Sequence, residues 1–166
     1  MSLKEKITEN LAVAFKSGQS EIVSTLRFLN SAIKNKELEK RSRLSKEGKS
    51  ENEIIKSSEL NDEEITAVIL SEIKKRKDSA SQYESGGRRD LADKEVKEIE
   101  ILKKYAPEEM PESDLRNIIK EKISELGKVT TKDFGKIMAL VMAEVRGRAG
   151  GDTVKKIIEE ELKNEP

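Results

Sequence analysis

The chain has 166 residues, 33 of them basic and 33 acidic, with no Cys and no His. Lacking cysteine, it has no disulfide framework and no thiol chemistry. Lacking histidine, it cannot form a Ser-His-Asp triad, most kinds of zinc site, or the commonest general base.

Charged residues make up 40% of the chain against 34% apolar and 3% aromatic. A core built from that supply is thin and aliphatic. Leu, Ile and Val nevertheless recur at helical spacing, and Glu, Lys, Ala and Leu are abundant, so the pattern predicts an all-α protein rather than a disordered one. The length suits one ordinary domain or two small ones. No apolar run approaches the ~20 residues of a membrane span. Residues 1–16 alternate charged with apolar side chains and lack a signal-peptide core. The expectation is a soluble, cytoplasmic protein with no membrane partner.

Helical signals begin at once. Ser2 and Glu5 stand in capping-box register, Leu3, Ile7, Leu11 and Ala14 form a stripe, and Gly18 ends it. A second helix starts near Ser20 with Ile22, Leu26, Leu29 and Ile33 on one face and Phe28 beside it. Its periodicity fades over 34–49, and residues 42–58, with Gly48 inside, read as a polar connector. A third helix follows an Asn61 cap, with Glu64 three residues on and Leu60 and Ile65 as a staple. It carries Val68, Ile69, Ile73, Ala80 and Tyr83 as far as Gly86-Gly87. A fourth runs from an Asp90 cap with Leu91, Val96, Ile99, Leu102 and Tyr105 facing inward, and Ala106-Pro107 closes it.

Two prolines with acids between them make 107–111 the clearest boundary. Beyond it, Leu115, Ile118, Ile119, Ile123 and Leu126 mark a helix that stops at Gly127. Thr130, with Asp133 three residues on and a Val129–Phe134 staple, opens the next. The last starts at Asp152 and carries Val154, Ile157, Ile158 and Leu162. The reading is an N-terminal unit of about four helices, 1–107, followed by a small C-terminal three-helix bundle, 111–163.

Charge is balanced overall but segregated locally. Residues 34–49 hold seven Lys/Arg against three Glu, 51–64 hold six acids against Lys56, and 128–156 hold seven Lys/Arg against Asp133, Glu144 and Asp152. A binding face can therefore sit inside a neutral total.

Catalytic chemistry finds few candidates. Carboxylate pairs such as Glu63-Glu64 and the run 159–161 read as solvated faces, with no partner placed to tune a pKa. There is no Walker-type phosphate loop. No catalytic, cofactor-binding or metal-ligating residues are assigned, and no cofactor is expected.

The basic elements carry more. On a helical wheel of 131–147, Phe134, Ile137, Met138, Val141 and Val145 gather on one side. Lys132, Lys136, Ala139, Ala143 and Arg146 gather on the other. An alanine strip edged by cations is flat and positive, and suits a phosphate backbone; alternatively the alanines pack against another helix with the cations at the rim. Arg148, Lys155 and Lys156 extend the patch. Lysines early in the last helix and Glu159, Glu160 and Glu161 late in it both oppose the helix macrodipole, at ~0.3–1 kcal/mol each. Helix stability alone does not select that arrangement. The run Lys74-Lys75-Arg76-Lys77 reads first as a solvated face, with a nucleic-acid or localisation patch as the alternative. Gly86-Gly87-Arg88-Arg89-Asp90 reads as a helix stop and restart. No aromatic interleaves these runs, which argues against base stacking.

Longer strings carry a resemblance. They are Lys75-Arg76-Lys77-Asp78-Ser79, then Gly86-Gly87-Arg88, Asp90-Leu91-Ala92-Asp93-Lys94-Glu95, the stretch 98–107, Asp133-Phe134-Gly135-Lys136-Ile137-Met138, and Arg146-Gly147-Arg148-Ala149-Gly150-Gly151. Together they resemble the stand-alone GatB/YqeY proteins from Leu3 to Leu162. The part after Pro111 is similar to the tail domain of the B subunit of the tRNA-dependent Asp/Glu amidotransferase, a helical appendage understood to contact the tRNA body. The catalytic cradle and glutaminase of that enzyme have no counterpart here.

The resemblance points to tRNA, and the distribution of basic residues points to Lys132, Lys136, Arg146, Arg148, Lys155 and Lys156 as the phosphate-facing surface; the expectation is an accessory tRNA-binding protein without catalysis of its own. One alternative is a module that docks on an amidotransferase or an aminoacyl-tRNA synthetase. Another is the carbon–nitrogen ligase activity, with glutamine as amido donor, that the family label carries.

Overall fold

Most helices of the N-terminal half begin where a short side chain can hold otherwise free backbone N–H groups. In the computed structural model, which describes residues 1–164, the chain divides into two units, Met1–Ala106 and Pro107–Pro166. The described residues form eight α-helices and a short 3-10 turn, with no strand among them, so the fold is all-α.

In the first unit, α1 (Leu3–Lys16) is closed by the Ser2–Glu5 capping box, and α4 (Asp62–Ser85) by that of Asn61 and Glu64. The turn between α1 and α2 (Ser20–Lys46) is made at Gly18, whose φ of 69° suits only a residue without a Cβ. Between α4 and α5 (Arg89–Lys103), Gly87 at φ 71° lets the Arg88 N–H donate to the Tyr83 carbonyl at 2.8 Å. The core gathers Ile7 from α1, Leu26, Leu29 and Ile33 from α2, Ile65, Ile69 and Ile73 from α4, and Ile99 and Leu102 from α5. Each such side chain contributes about 1.5–3 kcal/mol on burial. The Asn10 amide donates to the Tyr105 hydroxyl at 2.9 Å, tying α1 to the residue just past α5.

Two expectations are corrected here. The polar connector at 42–58 is helical: α2 continues to Lys46 and α3 (Glu51–Ser58) follows, giving five helices in this unit rather than four. The sparse apolar residues in that stretch suffice, because Leu44 and Ile54 are both buried and Ser50 with Glu53 forms a capping box. At the other end, α5 begins at Arg89 rather than from an Asp90 cap. Asp90 sits in its first turn and accepts from the Arg88 guanidinium at 3.1 and 3.0 Å, and Val96, expected inward, is exposed.

The second unit has the three expected α-helices, α6 (Glu112–Leu126), α7 (Phe134–Val145) and α8 (Gly151–Asn164). Their core joins Leu115, Ile119 and Ile123 to Ile137, Val141 and Val145 and to Val154, Ile157 and Ile158. Arg116 on α6 reaches Glu160 at 2.7 Å and Glu161 at 3.2 Å on α8, and Glu112 at 2.9 Å on its own helix. The late acids of α8, unfavourable to its macrodipole, thus have a structural use in holding α6. Among the described residues, no helix is long and apolar enough to cross a membrane.

The basic run at 74–77 is not a uniform solvated face. Arg76 is only 6% exposed and Glu72 only 4%. The Arg76 guanidinium donates to the Glu72 carboxylate at 2.8 Å, to the Glu72 carbonyl at 3.2 Å and to Glu98 of α5 at 2.9 Å. Lys75 reaches the second Glu72 oxygen at 2.8 Å. Among the described residues no buried side-chain polar atom is left without a partner. Burial opposes ionisation of Glu72, but the bonds from Lys75 and Arg76 outweigh it and hold the carboxyl below its ordinary 4.5.

Truncating Arg76 to Ala leaves the buried Glu72 carboxylate with Lys75 alone, so urea denaturation of the variant is expected to show a loss of about 3 kcal/mol. Because Glu72 titrates lower folded than unfolded, its contribution is present above pH 4.5 and lost as pH falls through the folded value. A series of denaturation curves below that pH should therefore fall less steeply for Glu72→Gln than for the native chain.

Candidate nucleic-acid interface

All six cations singled out in the sequence are exposed, but the geometry differs from a single helical wheel. Thr130 and Asp133 form their capping box on a 3-10 turn, Thr131–Asp133, and α7 starts only at Phe134. Lys132 therefore belongs to the turn and Lys136 to the first turn of α7. The bonds from the Thr130 backbone and hydroxyl hold the Asp133 carboxyl below its ordinary range, with the Lys136 charge adding to the same effect.

At the far end α7 stops in an unusual way. Arg146 has φ 45° and ψ 46°, the one non-glycine among the described residues at positive φ, and Gly147 follows at φ 78°. Two consecutive left-handed residues reverse the chain, and the Arg148 N–H donates back to the Val145 carbonyl at 2.8 Å. The Arg148 carbonyl accepts from the Met110 N–H at 2.7 Å, which ties this loop to the segment before α6. A left-handed conformation costs a non-glycine residue roughly 1–2 kcal/mol, and glycine is the usual residue at such a helix end. The position favours glycine and holds an arginine.

Arg146 and Arg148 lie on the connection after α7, and Lys155 and Lys156 follow on the second turn of α8. Asp152 lies inside the first turn of α8, which begins at Gly151, rather than capping it. Lys155 stands 3.9 Å from Glu159 one turn later, so part of its charge is compensated within the helix. From Lys136 to Arg146 the helix rises about 15 Å at 1.5 Å per residue. Along the chain the six cations fall into two sets, Lys132 and Lys136 before the strip and Arg146, Arg148, Lys155 and Lys156 after it.

Between the groups lie Ala139 and Ala143, both exposed, beside Leu140, which is 39% exposed. The alternative in which these alanines pack against another helix of the bundle is not what α7 does; its buried residues are Ile137, Val141 and Val145. Removing side-chain bulk from an exposed face lets a large, smooth partner approach the backbone, with cations at both ends of the contact. Among the described residues no group of three or more acidic side chains converges so as to hold a metal ion.

Sequence reasoning missed a second cluster, in the N-terminal unit. Phe15 near the end of α1 and Phe28 on α2 are 65% and 57% exposed and border one depression with Arg27. The Arg27 guanidinium lies 5.6 Å from the Phe15 ring centre, and that of Arg76 lies 5.0 Å from the Phe28 ring centre. A signal was available, since both rings fall outside the stripes that carry Ile7 and Ala14 on α1 and Leu26 and Leu29 on α2.

A comparison with curated proteins finds no match. Residues 4–162 match the family described as Yqey-like protein, nearly the whole chain, and the chain belongs to that family.

Proposed function

We propose that the chain is an accessory RNA-binding protein of the cytoplasm, with tRNA as its ligand, acting through the C-terminal bundle and without covalent chemistry of its own. The supporting observation is the exposed alanine strip of α7 with cations at both ends. Lys132 and Lys136 take the phosphates at one end, and Arg146, Arg148, Lys155 and Lys156 those at the other. Binding of this kind is electrostatic and reads the shape of a folded RNA rather than its bases. The resemblance of 111–163 to an amidotransferase tail domain points to tRNA among folded RNAs.

Exposed Leu140 favours a second reading, in which the same strip docks on an amidotransferase or an aminoacyl-tRNA synthetase. The two separate experimentally. Labelled bulk tRNA titrated with the full chain across a salt series is expected to bind with a log–log slope of up to about 4–5 for six phosphate contacts, and to prefer tRNA over duplex DNA. Lys136→Glu with Arg148→Glu should lower that slope by about two and weaken binding at every salt. Retained binding by the double variant removes the site assignment. Absence of tRNA binding at low salt, with capture of an amidotransferase or synthetase, moves the function to the docking reading. Glutamine-dependent amidation by the purified chain alone would overturn the non-catalytic part.

Arg146 gives a sharper test, because stability and binding move in opposite directions there. Arg146→Gly relieves the left-handed strain and should raise the unfolding free energy by up to ~1 kcal/mol. The same substitution removes a phosphate contact and should weaken tRNA binding. A variant that is both more stable and equally tight in binding would show that the guanidinium takes no part.

A further inference from the structure

The depression between α1 and α2 has an open volume of about 630 Å³, within the range of small-ligand sites. Phe15 and Phe28 border it with Arg27, and three hydroxyl side chains, Ser20, Ser24 and Ser31, also line it. No carboxylate does, although 33 of the 166 residues are acidic. The Ser24 hydroxyl donates to the Glu21 carbonyl at 3.4 Å and that of Ser31 to the Arg27 carbonyl at 3.0 Å, which leaves their oxygens as acceptors for base N–H groups.

Neither ring is a loose apolar side chain. Phe28 rests on the Arg76 guanidinium, which is itself fixed by Glu72 and Glu98, so the ring is held while more than half of it stays exposed. Phe15 lies 5.6 Å from the exposed Arg27 guanidinium. The neighbouring groove between α2 and α4, about 910 Å³, shares Phe28 and Ser31, but its charges are largely paired, Lys36 with Glu39, Lys40 with Glu64 and Lys75 with Glu72. The free cationic and aromatic character lies on the Phe15 side.

We infer that Phe15, Arg27 and Phe28 form a site for unpaired nucleotides, in which the two rings stack on bases and Arg27 neutralises the adjoining phosphate. Size and charge select this occupant. Two rings make too small an apolar patch for a stable protein interface, which needs about 800 Å² from each partner, but they match one or two bases. The flanking guanidinium and the absence of acids suit a polyanion. The site lies within the N-terminal unit and does not depend on the cations of α7 and α8.

The test is fluorescence anisotropy of a labelled, mixed-sequence single-stranded RNA octamer with the full chain, and a matched duplex RNA as comparison. The octamer is expected to bind in preference to the duplex. Phe15→Leu with Phe28→Leu keeps the apolar volume and removes the stacking faces, and should weaken octamer binding at least about tenfold. Lys136→Glu with Arg148→Glu removes octamer held electrostatically by the C-terminal bundle, and the loss on replacing Phe15 and Phe28 is expected to persist in that background. Arg76 keeps Glu72 and Glu98, so the leucine variant should still unfold in one cooperative transition, lowered by no more than the lost ring–guanidinium contact, about 0.5–2 kcal/mol. Amide shifts on adding the octamer should centre on Phe15, Ser24 and Ser31. The inference is overturned if the octamer does not saturate the native chain, if the leucine variant binds it equally well, or if the shifts are confined to 131–156.

Discussion

Arg76 is a guanidinium removed from water, and several parts of the N-terminal unit take their positions from what that requires. A charge so placed must have its donors satisfied, or it costs several kcal/mol. Glu72 satisfies it along α4, Glu98 satisfies it from α5, and the ring of Phe28 covers it from α2. The hairpin of α4 and α5 is thereby fixed in register at one point, because the bond at 2.9 Å to Glu98 permits no slippage by a turn. An aliphatic contact tolerates such slippage more readily, since Leu and Ile are interchangeable along a stripe. In a chain with few apolar residues, a directional polar contact is an economical way to specify alignment. Its consequence on the surface is that Phe28 is held still with much of its area outside.

The helices were legible in the sequence wherever the apolar stripe ran unbroken. Ile65, Ile69 and Ile73 on α4 and Val154, Ile157 and Ile158 on α8 read as core and are buried. The stretch 42–58 failed for a physical reason. Helices there need bury only one residue per turn or less against a neighbour, and Leu44 and Ile54 are too widely spaced to register as periodicity. The Ser50–Glu53 capping box was nonetheless present in the sequence, and it marks the start of α3 more surely than hydropathy does. Arg76 failed for the opposite reason. Its position on the stripe, three residues after Ile73 and four after Glu72, was readable, but a charge there reads as solvated unless its partners are known, and Glu98 is 22 residues away.

Exposure of the basic residues followed from their position opposite the core face of α7, and there the wheel served well. Its regularity did not extend to the ends. A 3-10 turn takes Lys132 off the helix and a left-handed residue takes Arg146 off it, and both are backbone events that side-chain periodicity does not report. The acids of α8 show the converse error. Glu160 and Glu161 looked like a sacrifice of helix stability, yet they accept from Arg116 on α6, which holds the Glu160 carboxyl below its ordinary range. An intrahelical cost of a few tenths of a kcal/mol is easily outweighed by a contact that fixes two helices together. The lysines early in α8 are offset in part, Lys155 by Glu159 at 3.9 Å and Lys156 by Glu160, whose carboxyl its charge helps to lower.

Placement of the aromatic rings follows the same logic of scarcity. The chain has three Phe and two Tyr, and burying a Phe contributes about 1.5–3 kcal/mol. Tyr105 is buried beneath Asn10 and Lys6, and Phe134 joins the core of the second unit. A thin core would gain from the other two phenylalanines as well, yet Phe15 and Phe28 lie outside and each is matched to a guanidinium instead. Arg146 repeats the pattern in the other unit, since glycine would fit its left-handed backbone at lower cost. In each case the side chain that local stability favours has given way to one with a face or a charge directed at solvent. Such departures carry more functional information than exposed lysines, which cost a helix surface little and occur throughout this chain.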